Sequence, residues 1–264
     1  MPLPKSLPWM EGVDAKIRRA EEHLGAFTRE AAQYLATARP RIIRKTNVER
    51  TEHWLVLYTE DPIPPIELSV LIGDFLYNLR SALDHLVCGL VLKNAPMSEC
   101  SKNEFPVFKT ATDYLKGSKR RLNGVPDEAC RLIKQLQPFQ RPTPDDDPLW
   151  ILHSLCNRDK HRVPNLTIGY QRNIEIRIPT KIPSTIVVRL PERFYIGDVE
   201  TVPLPGDPST IEDDVRVQAT GRGMLCLRST EPWAERPVDE LLIACLSYVK
   251  DRAIPPFKPF FRQP

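Results

Sequence analysis

Glycine is scarce in this chain, at 11 residues in 264, while proline numbers 27. Loops are therefore expected to be stiffened by fixed backbone angles rather than loosened by glycine. An excess of one charge sign is also missing: 37 Lys and Arg against 34 Asp and Glu leave a formal charge of +3. That balance permits nucleic-acid binding but lacks the cationic bias of a dedicated binder. The longest interior apolar run, "LVCGLVL" at Leu86 to Leu92, is far too short to span a bilayer. No CxxC pair occurs among Cys88, Cys100, Cys130, Cys156, Cys226 and Cys245. This spacing argues against zinc ligation and for reduced thiols. Neither end reads as a signal peptide, so a soluble, cytoplasmic protein is expected. Walker, GxSxG and zinc-finger spacings are absent too, as is any internal repeat.

What is present is an ordinary folded composition, 41% hydrophobic and 27% charged. Val13, Ile17, Ala20, Leu24, Phe27, Ala31 and Tyr34 recur at spacings of three and four, which predicts a helix over about 10–37. "RIIRK" and "HWLVLYT" predict two strands of a hairpin within 41–60. Helices are expected over 66–93, 111–119 and 126–137, the last with Pro126 just inside its start. "FPVF" at Phe105 to Phe108 reads as a short extended piece. Asp147 is a plausible N-cap for the helix "PLWILHSLCNRDKHR". Beyond Pro164 the β-branched segments "NLTIGYQ", "IEIRIP", "TIVVRLP", "VRVQATG" and "GMLCLRS" read as strands. A last helix is expected over 238–251. The fold class is thus α+β: a helical bundle over 1–163 with an inserted β-hairpin, then an antiparallel β-rich part over 164–264 closed by a C-terminal helix. The last helix is expected to pack back on the first part, so that both share one core.

The helix beginning near Ile66 contains "GDFLYNLRSALDHLVCGLVL", which is apolar yet carries many polar groups. At about 100° per residue, Phe75, Leu76, Leu79, Leu83, Leu86, Val87 and Leu90 share one side. Asp74, Asn78, Ser81 and His85 form a stripe on the other, flanked by Tyr77, Asp84 and Cys88, with Arg80 on the border. A solvent-facing stripe usually holds Lys, Glu and Gln; short polar side chains are weaker helix formers. The stripe is therefore expected to line a cleft or meet another polar helix.

A second cluster, "NRDKHR", supplies Asn157, Asp159, Lys160, His161 and Arg162. His153, Asn157 and His161 share a face, while Asp159 falls on the side expected to be buried. A buried carboxylate needs a partner, and Arg80 is a candidate. The stripe and this cluster are expected to meet. Three roles stay open: acid–base chemistry on a phosphodiester, divalent-metal binding through Asp84, His85, Asp159 and His161, or a structural polar network.

"RSALDH" is an arginine, four residues, then a histidine inside a helix. It resembles the active-site motif of the HEPN superfamily (higher eukaryote and prokaryote nucleotide-binding domains). The combination of "LRSALDHL", "FPVF", "LQPF" and "NRDKHR" also resembles a set of uncharacterised bacterial proteins. The HEPN resemblance implies a helical bundle that dimerises, bringing two copies of the motif to a shared cleft. It implies a metal-independent endoribonuclease of a toxin or phage-defence type, with no cofactor and with an antitoxin-like protein partner. Arg80 would stabilise the phosphate and His85 would transfer protons. Asp74, Asn78, Ser81, Asp84, Asn157, Asp159, Lys160, His161 and Arg162 would support them. Ser81 departs from the Asn, Asp or His often found after the arginine. The alternative is a non-catalytic RNA-, nucleotide- or protein-binding module.

Overall fold

The structure, a computed structural model, describes residues 9–38, 41–47, 53–59, 63–95, 99–160, 164–171, 175–179, 185–189, 193–195, 199–201, 222–228, 231–234 and 236–261. It is a mixed α+β fold, mostly helical. The helices are α1 (Trp9–Ala38), α2 (Ile66–Asn94), α3 (Ala111–Arg121), α4 (Asp127–Gln135), α5 (Pro148–Asp159) and α6 (Val238–Ser247). The strands are β1 (Arg41–Thr46), β2 (His53–Tyr58), β3 (Leu166–Gln171), β4 (Glu175–Pro179), β5 (Thr185–Arg189), β6 (Arg193–Tyr195), β7 (Val199–Thr201) and β8 (Arg222–Leu227).

Helices α1 and α2 pack antiparallel. Gly12, Lys16 and His23 of α1 meet His85, Asn78 and Asp74 of α2, so one number rises as the other falls. The predicted stripe of α1 is its buried face: Val13, Ile17, Ala20, Phe27, Ala31 and Tyr34 all enter the core. The apolar side of α2 is buried along its whole length, from Leu68 to Val91. Burial of this kind, at about 25 cal/mol per Å² of apolar surface, is the main force holding such a pair together. Asp147 caps α5 as expected, its carboxylate accepting from the Leu149 N–H at 2.9 Å. Pro126 precedes α4 as its N-cap and is not inside it. Past Ser247, α6 continues as π-helical turns over Tyr248–Ala253.

Among the described residues all strand pairs are antiparallel. The hairpin of β1 and β2 forms in the predicted place, and β7 adds to it, giving the order β1-β2-β7. A second sheet has the order β6-β3-β8, and β4 pairs with β5. Leu166 and Ile168 of β3, and Leu225 and Leu227 of β8, enter the same core as α1, α2, α5 and α6. The segment "VRVQATG" lies outside the described residues.

The segment between α2 and α3 shows why "FPVF" is neither helix nor strand. Its backbone groups are paired with side chains instead of a ladder, as buried peptide groups require. Asp84 accepts from the Phe105 N–H at 2.8 Å, and Arg80 donates to the Phe105 carbonyl. Buried Gln137 accepts from the Phe108 N–H at 3.0 Å and donates to the Pro106 carbonyl at 2.8 Å. Two clamps, one from α2 and one from the end of α4, thus fix residues 105–108 as a wall.

The expectation of six reduced cysteines is corrected. Cys88 on α2 is bonded to Cys100, with Cα atoms 5.4 Å apart. Spacing gave no sign of this, because only the fold places position 100 beside α2. Cys130, Cys156, Cys226 and Cys245 are free. The cytoplasmic expectation leaned on reduced thiols and loses that support. No helix among the described residues is long and apolar enough to cross a membrane. With a sequence separation of 12, the disulfide closes a loop worth about 3 kcal/mol in chain entropy. Cys88→Ser with Cys100→Ser is expected to lose about that much stability in urea unfolding, and dithiothreitol is expected to bring the wild type to the same midpoint.

Candidate functional site

The 105–108 wall, α2, α3 and α5 enclose a cleft of about 870 Å³, within the usual range for ligand sites. Its cations are Arg80, Lys109, Lys116, Arg121 and Lys160; its carboxylates are Asp84, Glu104 and Asp113. Tyr77, Phe108 and Trp150 contribute aromatic surface. The Lys109 ammonium sits 5.5 Å from the centre of the Trp150 ring and pairs with Asp145. The Arg121 guanidinium sits 5.1 Å from the Phe108 ring centre and pairs with Glu104. Such cation–ring contacts hold both partners in place.

Arg80 and Asp84 sit one turn apart on α2 with 3.2 Å between their charged atoms. Burial pushes the Asp84 carboxyl above the usual carboxylate range, against the pull of Arg80. Both are committed to Phe105, yet Nη1 of Arg80 is buried with no hydrogen-bond partner. An unpaired buried guanidinium nitrogen is costly, so this end of Arg80 adds no stability of its own. Lys116 and Lys160 make no ion pair among the described residues.

His153 of α5 also lines the cleft, its ring 5.6 Å from that of Trp150. Burial, then the charges of Arg80 and Lys160, push its pKa down to about 4. It is therefore neutral at pH 7, and Asn157 donates to its Nε2 at 2.9 Å, which leaves the ring proton on Nδ1. The linkage has a definite sign. Above pH 6.5 both folded and unfolded imidazoles are neutral and contribute nothing. Between 6.5 and about 4 only the unfolded ring binds a proton, so stability falls as pH drops. His153→Gln is expected to remove that part of the pH dependence, read as urea midpoints from pH 7 to 4.

The polar stripe of α2 divides between two neighbours. Of its four members only Ser81 lines the cleft, beside the flanking Asp84 and the border residue Arg80, and with Asn157 and Lys160 of "NRDKHR". Asp74 and Asn78 face α1 instead. Asn78 is buried, accepting from Lys16 at 3.2 Å and donating to the Asp74 carbonyl at 2.8 Å. The Asp74 carboxylate lies 4.0 Å from His23. His85 is exposed beside Gly12 and is not part of the cleft lining. Arg80 and His85 are five residues apart, about 140° around the helix, which separates them.

Asp159 does not pair with Arg80. Its carboxylate rests against Gly73, where a Cβ would lie 2.8 Å from Oδ1. Burial, then the charge of Asp74, raises its pKa. Asp84, His85 and Asp159 therefore occupy three separate places, and among the described residues no group of three or more His, Cys, Asp and Glu could hold a metal. His161 and Arg162 lie outside the described residues.

Lys109, Lys116, Arg121, Phe108 and Trp150 were not candidates from sequence. A signal existed in "KGSKRR", Lys116 to Arg121, a short basic run of the kind used on nucleic-acid surfaces. No protein-family model, curated protein or solved structure matches the chain.

Proposed function

We propose that the protein binds RNA or a nucleotide in the cleft between α2, α3 and α5. The observation that supports this reading is the combination of open cations with aromatic faces. Lys116 and Lys160 are exposed and have room for phosphate oxygens, while Phe108 and Trp150 offer ring surface within the same cleft. Phosphate contacts give affinity without sequence information, and base–aromatic stacking adds about 1–3 kcal/mol per base. The helical part is read as HEPN-like, with "RSALDH" on the central, most deeply buried helix and a second copy of the chain as its partner.

Tryptophan fluorescence tests the reading. Titration with a short RNA oligonucleotide is expected to quench emission, and Trp150→Phe to remove most of the quench. Lys160→Ala is expected to weaken binding about tenfold, the effect of losing roughly one charge-assisted contact. Unchanged emission, with no binding at low salt, would count against it.

A metal-independent endoribonuclease is the second reading, favoured by the exposure of His85, which leaves its imidazole reachable by a phosphate. Because Arg80 faces the cleft, a second copy would have to supply one member of the Arg80 and His85 pair. Purified protein incubated with a mixed RNA pool in EDTA should then yield cyclic-phosphate ends, and His85→Ala should not. If His153→Ala abolishes cleavage while His85→Ala does not, proton transfer belongs to the cleft histidine.

A further inference from the structure

The cleft does not end at Lys116. That residue also lines a neighbouring groove of about 550 Å³, formed by the second half of α3 and the segment 99–103. Lys102, Lys119 and Arg120 join Lys116 there, with Glu99 as the sole carboxylate among the lining residues. None of these four cations makes an ion pair among the described residues.

The plain explanation is that basic residues at the end of α3 complement its dipole. The hydrogen bonds argue against that as the whole account. Asn103 already donates to the carbonyls of Arg121 at 3.0 Å and Asn123 at 2.9 Å, and Arg121 donates to the Gly117 carbonyl at 2.9 Å. Side chains of Asn103 and Arg121 thus already serve carbonyls at this helix end, while the side chains of Lys119 and Arg120 are exposed and make no hydrogen bond among the described residues.

We propose that the α3 groove is a second phosphate-binding site continuous with the cleft, so that the ligand is a flexible phosphodiester strand and not a mononucleotide. This rests on the reading of the cleft as a nucleotide-binding site. Lys116 and Arg120 are four residues apart, about 6 Å along the axis, and carry the line of positive charge from cleft to groove. The strand is single because its bases must leave their stack to reach Phe108 and Trp150, which paired bases do not do.

The test is fluorescence polarisation with RNA dinucleotide, tetranucleotide and octanucleotide, and with an eight-base-pair duplex. It compares wild type with Lys119→Ala/Arg120→Ala, each checked for an unchanged melting transition. In the wild type the octanucleotide is expected to bind at least about tenfold tighter than the dinucleotide. The double variant should lose that gain, keep the dinucleotide affinity and show a salt slope shallower by about 1.4, the value for two phosphate contacts on a single strand. Equal affinity at all lengths, a length gain that survives in the variant, or equally tight duplex binding would each overturn the second site while leaving the cleft reading intact. Absence of binding at every length would overturn the cleft reading and the groove with it.

Discussion

Arg80→Met is expected to destabilise the protein by about 3 kcal/mol, the usual cost of removing one member of a largely buried ion pair. The side chains of Arg80 and Asp84 are 16% and 33% exposed, so water screens the pair only in part. Removing Arg80 leaves the Asp84 carboxylate, already raised by burial, without its cation, and the Phe105 carbonyl without a donor. Asp84→Asn should cost less, because an amide still offers an oxygen to the Phe105 N–H. The double variant should lose less than the sum of the two, since each single change strands the other partner. Urea unfolding of the four proteins gives this comparison. Strict additivity, or a loss under about 0.5 kcal/mol for Arg80→Met, would show that the clamp on Phe105 is not what fixes the cleft wall.

Gly117→Ala is expected to cost about 1–3 kcal/mol, the range for overfilling a packed site. A Cβ at Gly117 would overlap the Phe108 ring, lying 2.9 Å from its Cε1, and would come within 2.8 Å of the Arg121 guanidinium. The ring cannot move away freely, because the Phe108 N–H is held by Gln137. RNA affinity should fall along with stability, since the same ring forms part of the cleft. Gly25→Ala is the control: its Cβ would meet only Arg29 Nη1 at 3.6 Å, and a helix interior gains about 0.5–1 kcal/mol from the change. Thermal melts and RNA titrations of both variants decide the matter. A Gly117→Ala protein as stable and as tight-binding as wild type would contradict the packing described.

These residues also show what a sequence can tell. The periodicity of α1, the buried side of α2, the Asp147 cap and the β1–β2 hairpin follow from local rules, and each is found where those rules place it. The polar stripe of α2 was legible as unusual, but not as divided. A helix face about 100° wide can touch two neighbours, and only the antiparallel packing of α1 sends Asp74 and Asn78 one way and Ser81 the other. The same geometry separates His85 from Arg80. The Cys88–Cys100 bond and the addition of β7 to β2 depend on long-range placement, which no spacing rule encodes. The basic run of α3 was present in the sequence, but only the fold shows that Lys116 lines both the cleft and the neighbouring groove.

The central claim is that the cleft of α2, α3 and α5 is the ligand site. Lysine footprinting tests it most directly: brief acetylation of the protein with and without a saturating RNA octanucleotide, read by peptide mass spectrometry. The account predicts protection of Lys109, Lys116 and Lys160, while exposed Lys258, which is not among the cleft-lining residues, reacts equally in both samples. Equal acetylation of Lys109, Lys116 and Lys160 with RNA bound would place the ligand elsewhere and contradict it.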